Sequence, residues 1–257
     1  MPVFSHNGID LYYEDIGEGR PLLLLHGLTS NSAMFYREIE FFKNSRRVLA
    51  LDSRGHGNSS RPEKYTLQDH IEDAIALLSH LSLNSVDVIG VSMGSYIAQG
   101  VAAQAAERVE KLILVATKSY GEQSSMTELF DRFPEKFEGL SMLEKFSSSS
   151  SYIYYNQPLI DEWLSKTAKN SRQLTMREQV IASEALKEFD FRTQLSKITA
   201  ETLVISGKFD GLNPPEKGRE TAVLIPDATY MEFKRSGHAP NVEQAKLFLG
   251  IAENFLD

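Results

Sequence analysis

The sequence predicts an α/β fold: a mostly parallel central sheet flanked by helices, with a helical cap inserted before the last two strands. Three observations predict it. The chain has 257 residues, 42% of them hydrophobic, which is enough for one domain with a substantial core. Short continuous apolar runs, typical of strands buried on both faces of a parallel sheet, alternate with stretches of helical periodicity. Between residues 120 and 189 that alternation stops, and helical, aromatic-rich sequence takes its place.

The first part of the chain contains an edge hairpin and four buried strands. The turn at 6–8 separates two extended stretches, so residues 4–16 are predicted to form a hairpin at the sheet edge. Each later apolar run ends at polar or glycine residues, as expected where a buried strand emerges from the sheet. The buried strands are predicted at 21–25, 48–51, 86–91 and 111–116, and the helices between them at 32–42, 67–81 and 96–106.

The division into core and cap follows from where the alternation stops. The core domain is predicted to comprise residues 1–118 and 191–257, and the helical cap, or lid, residues 119–190. After the cap the alternation of strands and helices resumes. Two further strands are predicted at 202–207 and 229–233. Two further helices are predicted, one opened by Pro214-Pro215 and running to about 224, and one at 242–255.

Aromatic side chains are concentrated in the predicted cap. We expect most of them to pack the cap onto the core, and Trp163 and Tyr152 are candidates for contact with a substrate. The cap also contains the serine run Ser147 to Ser151. Because small polar residues without apolar periodicity are typical of flexible segments, this run is predicted to be a mobile loop.

A serine between two glycines stands at the end of the third buried strand. The apolar run Val86 to Val91 leads into Gly90-Val91-Ser92-Met93-Gly94, and a helical stretch follows. A Gly-x-Ser-x-Gly sequence between a strand and a helix is typical of a nucleophile elbow, which holds the serine in a strained conformation at the strand tip. A Cβ at Gly90 or Gly94 would collide where the helix packs back onto the strand. Ser92 is therefore the candidate nucleophile.

A serine nucleophile needs a base, which is usually a histidine oriented by a carboxylate. Of the six histidines, only His238 follows the last predicted strand, at the carboxyl edge where Ser92 lies and where ligands gather in α/β sheets. Asp52 and Asp210 both follow buried strands. The chain order serine, acid, histidine favours Asp210, while Asp52 is predicted to pair with Arg54 or to cap loop amides.

Attack on a carbonyl places negative charge on its oxygen, so backbone N–H groups must point at that position. The amide of Met93 is one candidate donor, because it opens the helix after the nucleophile and the helix dipole favours an anion there. The second candidate is the amide of Leu28, in the loop that follows Leu25, His26 and Gly27.

Four separate signatures occur along the chain: Leu25-His26-Gly27, Asp52-x-Arg54-Gly55-His56-Gly57-x-Ser59, Gly90-Val91-Ser92-Met93-Gly94, and Asp210 with Gly237-His238. Together they resemble the α/β-hydrolase superfamily over the whole chain. The stretch from Ser236 to Glu243 is similar to 3-oxoadipate enol-lactonases and small carboxylesterases. This resemblance implies a small-molecule ester or lactone substrate and no cofactor. One departure is Ser95, at a position where relatives often carry glycine.

Several alternatives share these signatures. Perhydrolases and carbon–carbon bond hydrolases carry the same general pattern, although the latter often place an aromatic residue directly after the catalytic histidine, where this chain has Ala239. A binding or signalling protein on the same scaffold is the alternative of another class, because fold does not determine function. A peptidase would need a site for an amine terminus; the cap offers acidic residues such as Glu122, Glu128 and Asp131, but nothing in the sequence marks them as such a site.

Composition limits the remaining function classes. The formal net charge of −8 provides no basic surface for nucleic acid. The chain has no cysteine, which excludes disulfides and thiolate chemistry. The amino terminus lacks signal-peptide character, no apolar run is long enough to span a bilayer, and the histidines lack metal-ligand spacing. We therefore expect a cytoplasmic monomer or homodimer with no membrane partner and no metal.

Overall fold

The computed structural model describes residues 2–168 and 172–257. The strands are β1 Val3–His6, β2 Ile9–Ile16, β3 Arg20–Leu25, β4 Arg46–Leu51, β5 Val86–Val91, β6 Val109–Val115, β7 Tyr120–Gly121, β8 Phe189–Asp190, β9 Glu201–Gly207 and β10 Ala228–Phe233. The helices are α1 Tyr36–Phe42, α2 Leu67–His80, α3 Met93–Gln104, α4 Ser125–Arg132, α5 Pro134–Phe137, α6 Met142–Ile153, α7 Gln157–Ala168, α8 Met176–Glu184, α9 Pro215–Leu224, α10 Pro240–Glu243 and α11 Ala245–Leu256. None of these helices is both long and apolar enough to cross a membrane.

The central sheet has the strand order β1-β2-β4-β3-β5-β6-β9-β10. The first two strands form the predicted edge hairpin and run antiparallel to their neighbours, whereas β4, β3, β5, β6, β9 and β10 are all parallel. The predicted fold class is therefore confirmed. Exchange of β3 and β4 in the spatial order places β3 beside β5, so the loop after β3 lies next to the serine turn.

Strand register brings the functional loops to one edge. Leu25 at the end of β3 pairs with Gly90 of β5. Val115 at the end of β6 pairs with Val91 on one side and with Ile205 on the other. Because these parallel strands end at the same height, the segments that follow β3, β5, β6, β9 and β10 gather in one place.

Both faces of the sheet are buried, which explains the continuous apolar runs. In β3, Leu23 and Leu25 belong to one hydrophobic cluster, while Leu22 and Leu24 belong to another on the opposite face. Helices α2 and α3 cover the first face, and α1 and α11 contribute to the second. Alternate residues of a strand point to opposite faces, so a strand covered on both sides needs apolar residues throughout.

Helices α4 to α8 lie between β6 and β9, within the range predicted for the cap. The short strands β7 and β8 pair antiparallel across the ends of this segment, with Tyr120 opposite Asp190. Lys118, just before β7, is buried, and its Nζ donates to Glu128 Oε2 of α4 at 2.8 Å. An ion pair thus joins this helical segment to the end of β6. The division into core and cap domains remains a prediction.

The serine run is not a loop, and its prediction as one was wrong. Ser147 to Ser151 lie inside α6, whose first turn is held by a capping box between Ser141 and Glu144. Serine hydroxyls within the helix donate to carbonyls one turn back, as Ser148 Oγ does to Glu144 O at 2.7 Å. Serine is only mildly unfavourable in helices when it bonds in this way, and Tyr152 and Ile153 at the carboxyl end of α6 supply apolar packing.

Candidate active site

Ser92 occupies a strained turn between β5 and α3. Its backbone has φ +53° and ψ −119°, a conformation that L residues rarely adopt. An added Cβ at Gly90 would lie 2.3 Å from the carbonyl oxygen of Gly94. An added Cβ at Gly94 would lie 1.9 Å from the carbonyl oxygen of Leu25. The first glycine therefore lets α3 approach β5, and the second lets it approach the end of β3.

Ser95, the departure from the usual glycine, is fully buried behind Ser92. Its hydroxyl lies 2.6 Å from the carbonyl oxygen of Ser92 and 2.8 Å from Oγ1 of Thr117. Gln99 Nε2 also donates to Thr117 Oγ1, at 2.8 Å. These hydrogen bonds tie the serine turn to the segment that follows β6, so a polar side chain replaces close backbone packing at this position.

Ser92, His238 and Asp210 form a continuous hydrogen-bonded chain. The imidazole Nε2 of His238 lies 2.9 Å from Ser92 Oγ, and its Nδ1 lies 2.8 Å from Asp210 Oδ2. With the ring proton on Nδ1, His238 donates a hydrogen bond to the carboxylate and accepts one from the Ser92 hydroxyl. His238 and Asp210 are buried, whereas Ser92 is half-buried.

The carboxylate of Asp210 is held from its other side. Its Oδ1 accepts hydrogen bonds from the amides of Leu212 and Asn213, both at 2.9 Å. The Asn213 side chain in turn donates to Tyr96 Oη at 2.6 Å and to the Ala116 carbonyl at 2.7 Å. Sequence reasoning missed Asn213, for which the only signal is a polar residue directly before the two prolines that open α9.

Asp52, the alternative acid, does not contact His238. Its Oδ1 accepts from the Ser32 amide at 2.7 Å, and its Oδ2 accepts from the Asn58 amide at 2.8 Å. The predicted pairing of Asp52 with Arg54 does not occur. Arg54 instead binds Asp73 on α2. Burial raises the pKa of Asp52, while the two amide hydrogen bonds lower it. Asp52 therefore acts as a cap for loop amides.

The two predicted oxyanion donors belong to segments that adjoin Ser92. Gly27 is a neighbour of Ser92, because an added Cβ would lie in van der Waals contact with Ser92 Cβ at 3.5 Å, so the loop that continues to Leu28 passes beside the serine. Met93 opens α3 directly after Ser92. Within residues 2–168 and 172–257, neither the Leu28 amide nor the Met93 amide donates a hydrogen bond to another group of the chain. Both are available to an incoming acceptor.

His26 shapes this loop and is not placed as a base. Its Nδ1 lies 2.8 Å from the Gly27 carbonyl, and its Nε2 accepts from the Ser53 amide at 3.0 Å. Complete burial lowers the pKa of His26 to about 4, so the ring stays neutral near pH 7. Both ring nitrogens are occupied in holding the loop after β3 against the loop after β4.

A comparison with protein families identifies the chain. The model for the alpha/beta hydrolase fold matches residues 20–245. The chain belongs to the alpha/beta hydrolase fold family. It is thus an enzyme of the hydrolase type, as predicted.

Relatives of this alpha/beta hydrolase are named for different activities. It is 29% identical to 3-oxoadipate enol-lactonase 2 of Acinetobacter baylyi over 96% of each chain. It is also 29% identical to 2-hydroxymuconate semialdehyde hydrolase of Pseudomonas putida, over 94% of this chain and 89% of the relative. The enol-lactonase from Burkholderia xenovorans LB400 has a TM-score of 0.83 and 27% identity, covering 99% of each chain.

The two aromatic residues predicted as substrate contacts have packing roles in this hydrolase. The indole Nε1 of Trp163 donates to the Met34 carbonyl at 3.3 Å, and its ring joins the hydrophobic cluster on one face of the sheet. Tyr152 packs against Phe133 and Phe137, with ring centroids 5.1 and 5.4 Å apart. Contact of either residue with substrate remains a prediction.

Two of the three acidic residues considered for a peptidase have partners among their neighbours. Glu128 binds Lys118, as described above, and Asp131 accepts from Gln123 at 3.2 Å. Both pairs lie within or beside α4. The carboxylates of Glu128 and Asp131 therefore already have hydrogen-bond partners within the chain.

Proposed function

We propose that this hydrolase cleaves small carboxylic esters or lactones through an acyl-enzyme intermediate on Ser92. In this proposal His238 is the general base and acid, and Asp210 orients it. The observation that carries the proposal is the hydrogen-bonded chain from Asp210 through His238 to Ser92, with separations of 2.8 and 2.9 Å. Nucleophile and base are within the range expected for proton transfer between them.

The proposed reaction begins with attack of Ser92 Oγ on the carbonyl carbon, while His238 Nε2 takes the hydroxyl proton. Asp210 stabilises the resulting imidazolium and keeps the ring in the correct tautomer. As the tetrahedral intermediate collapses, His238 gives that proton to the leaving alcohol. Water then attacks the acyl-enzyme by the same steps, which releases the acid and restores Ser92.

The amides of Leu28 and Met93 are proposed to bind the oxyanion. Their position beside Ser92 and their lack of other partners among the described residues support this role. Donors fixed in place before the reaction stabilise the developing charge without reorganisation. One such donor is typically worth about 3 kcal/mol of transition-state stabilisation.

A panel of p-nitrophenyl esters of increasing acyl length, together with simple lactones, tests the proposal. We expect sustained turnover by the wild-type protein and a loss of kcat of about 10³-fold or more in Ser92→Ala. Ser79→Ala is the matched control, because Ser79 is an exposed serine at the far end of α2. The acyl length at which the rate falls indicates the size of the site that binds the acyl group.

Three results would overturn the proposal. Substantial turnover by Ser92→Ala would remove Ser92 as the nucleophile. A ligand that binds without steady product release would favour the binding or signalling alternative. Cleavage of a vinylogous 1,5-diketone, with no activity on esters or lactones, would instead assign carbon–carbon bond hydrolysis to the same serine.

A further inference from the structure

The carboxylate of Glu243 accepts four hydrogen bonds from two separate parts of the chain. Its Oε1 accepts from the amides of Tyr155 and Asn156, at 2.6 and 2.7 Å. Its Oε2 accepts from the amide of Gly237 at 2.6 Å and from Ser236 Oγ at 3.0 Å. Tyr155 and Asn156 lie between α6 and α7, whereas Ser236 and Gly237 directly precede His238. Glu243 therefore joins the helical segment α4 to α8, which we call the helical insertion, to residues 234–239 around His238, which we call the histidine loop.

The segment 152–156, which we call the strap, also binds the loops of the acid and the histidine directly. The carbonyl of Tyr152 accepts from the Gly211 amide at 2.9 Å, next to Asp210 in the chain. The carbonyl of Ile153 accepts from the His238 amide at 2.7 Å. The strap thus fixes backbone positions on both sides of the His238–Asp210 hydrogen bond.

Packing leaves the histidine loop little freedom once the strap is in place. An added Cβ at Gly237 would lie 2.3 Å from the Ile153 carbonyl oxygen and 2.8 Å from Tyr154 Cα. His238 itself lies in neither a helix nor a strand, so its position relative to Ser92 depends on such contacts. The hydrogen bonds to the Glu243 carboxylate are the strongest of these contacts, because hydrogen bonds to a carboxylate are about twice as strong as neutral ones.

We propose that Glu243 is a positioning residue that holds His238 in line with Ser92 and Asp210 by locking its loop to the strap. Glu243 touches neither the reacting atoms nor the imidazole, so it acts through three backbone amides and the Ser236 hydroxyl. The kinetic part of this inference rests on the proposed ester hydrolysis. Its geometric part concerns the His238–Asp210 hydrogen bond alone.

The variant Glu243→Gln tests the inference because glutamine has the same shape but only one acceptor oxygen. Either orientation of its amide presents NH₂ to two donors of the chain. We expect kcat for a p-nitrophenyl ester to fall about 10- to 100-fold, with KM within about twofold of wild type, because misplacement by about 1 Å has effects of this size. Glu253→Gln, an exposed change on α11, is the matched control and should leave both constants unchanged.

A proton NMR measurement separates positioning from fold stability and from activity. The downfield resonance of the His238 Nδ1 proton, assigned by its loss in His238→Gln, should shift or broaden in Glu243→Gln and remain in place in Glu253→Gln. An unchanged resonance in folded Glu243→Gln overturns the inference. So does an unchanged kcat, or a rise in KM alone, which would mean that Glu243 only holds the insertion over the substrate.

Two further outcomes are distinguishable. If wild type hydrolyses no ester or lactone, the proposed function fails, and the resonance still decides whether Glu243 positions His238. If Glu243→Gln does not fold, Ser236→Ala decides, because it removes only the donor at 3.0 Å from Oε2. A fall in kcat of about threefold or more at unchanged KM supports the inference, and wild-type kcat overturns it.

Discussion

Asp52 and Asp210 each follow a buried strand, yet their side chains have different partners. Asp210 faces His238 with one oxygen and two backbone amides with the other. Asp52 uses both oxygens to accept from loop amides. Loss of the negative charge would therefore have different effects at the two positions. At Asp210 it would remove the partner of the His238 imidazole, and at Asp52 it would weaken two hydrogen bonds from loop amides.

Asparagine substitution at the two positions should affect different quantities. Asp210→Asn should lower kcat by about 10³- to 10⁴-fold, because the amide no longer stabilises the imidazolium or selects its tautomer. Asp52→Asn should leave kcat within about tenfold and lower the free energy of unfolding by about 1–3 kcal/mol, since an NH₂ group then faces a buried amide. Ester kinetics and urea unfolding of both variants measure this. Greater kinetic damage in Asp52→Asn would move the acid to Asp52.

The residues of the candidate site differ in how visible they are in the sequence. Ser92 carries its own local motif, and His238 and Asp210 follow from chain order and strand ends. Asn213 has no such signal, because its side chain contacts Tyr96 and the Ala116 carbonyl, which are distant in sequence. Glu243 belongs to the stretch that resembles enol-lactonases, yet nothing in that stretch indicates its contact with the Asn156 amide. A single sequence does not reveal which amides a side chain meets across the fold.

At the scale of elements, α3 packs against both β5 and β3, and this packing requires a residue without a side chain at Gly94. Gly94→Ala should lower the free energy of unfolding by about 3 kcal/mol, since its Cβ would meet the Leu25 backbone at 1.9 Å. Gly250→Ala on α11 should raise it by up to about 1 kcal/mol, because nothing lies within 4 Å of that Cβ. Urea unfolding compares the two, and wild-type stability in Gly94→Ala would contradict the packing.

Strands are predicted well here and one cap helix is not, for a physical reason. The buried strands are apolar throughout because both faces of the sheet are covered, and that signal is local. Helix α6 forms across a serine run that carries no apolar periodicity, held by its capping box and by packing of Tyr152 and Ile153 at its carboxyl end. Tertiary contacts overrode the local preference there.

At the scale of the whole molecule, three buried histidines make the fold sensitive to acid. Burial lowers the pKa of His26 to about 4 and of His56 to about 3, and it also lowers the pKa of His70. In the unfolded chain these groups bind a proton below about pH 6.5. Between pH 6.5 and about 4 the unfolded state therefore holds more protons, so stability falls as pH falls. Glu38 opposes this effect, because burial raises its pKa to about 7.

His56→Asn isolates one histidine from these opposing groups, because asparagine can still donate to the Arg54 carbonyl that His56 Nδ1 contacts. The variant should be less stable at every pH, since the smaller side chain leaves a cavity. Its loss of stability between pH 7 and pH 5 should nevertheless be about 2 kcal/mol smaller than that of wild type. Urea unfolding at both pH values measures this. Equal losses in the two proteins would show that His56 does not titrate differently on unfolding.

The most direct test of the central claim, that Ser92 is an activated nucleophile, uses a p-nitrophenyl phosphonate. This reagent phosphonylates an activated serine and forms an adduct that water does not readily release. Peptide mapping by mass spectrometry should find one adduct per chain, on Ser92, and its formation should slow strongly in His238→Gln. An adduct on another residue, or none while the same preparation hydrolyses p-nitrophenyl esters, would contradict the account.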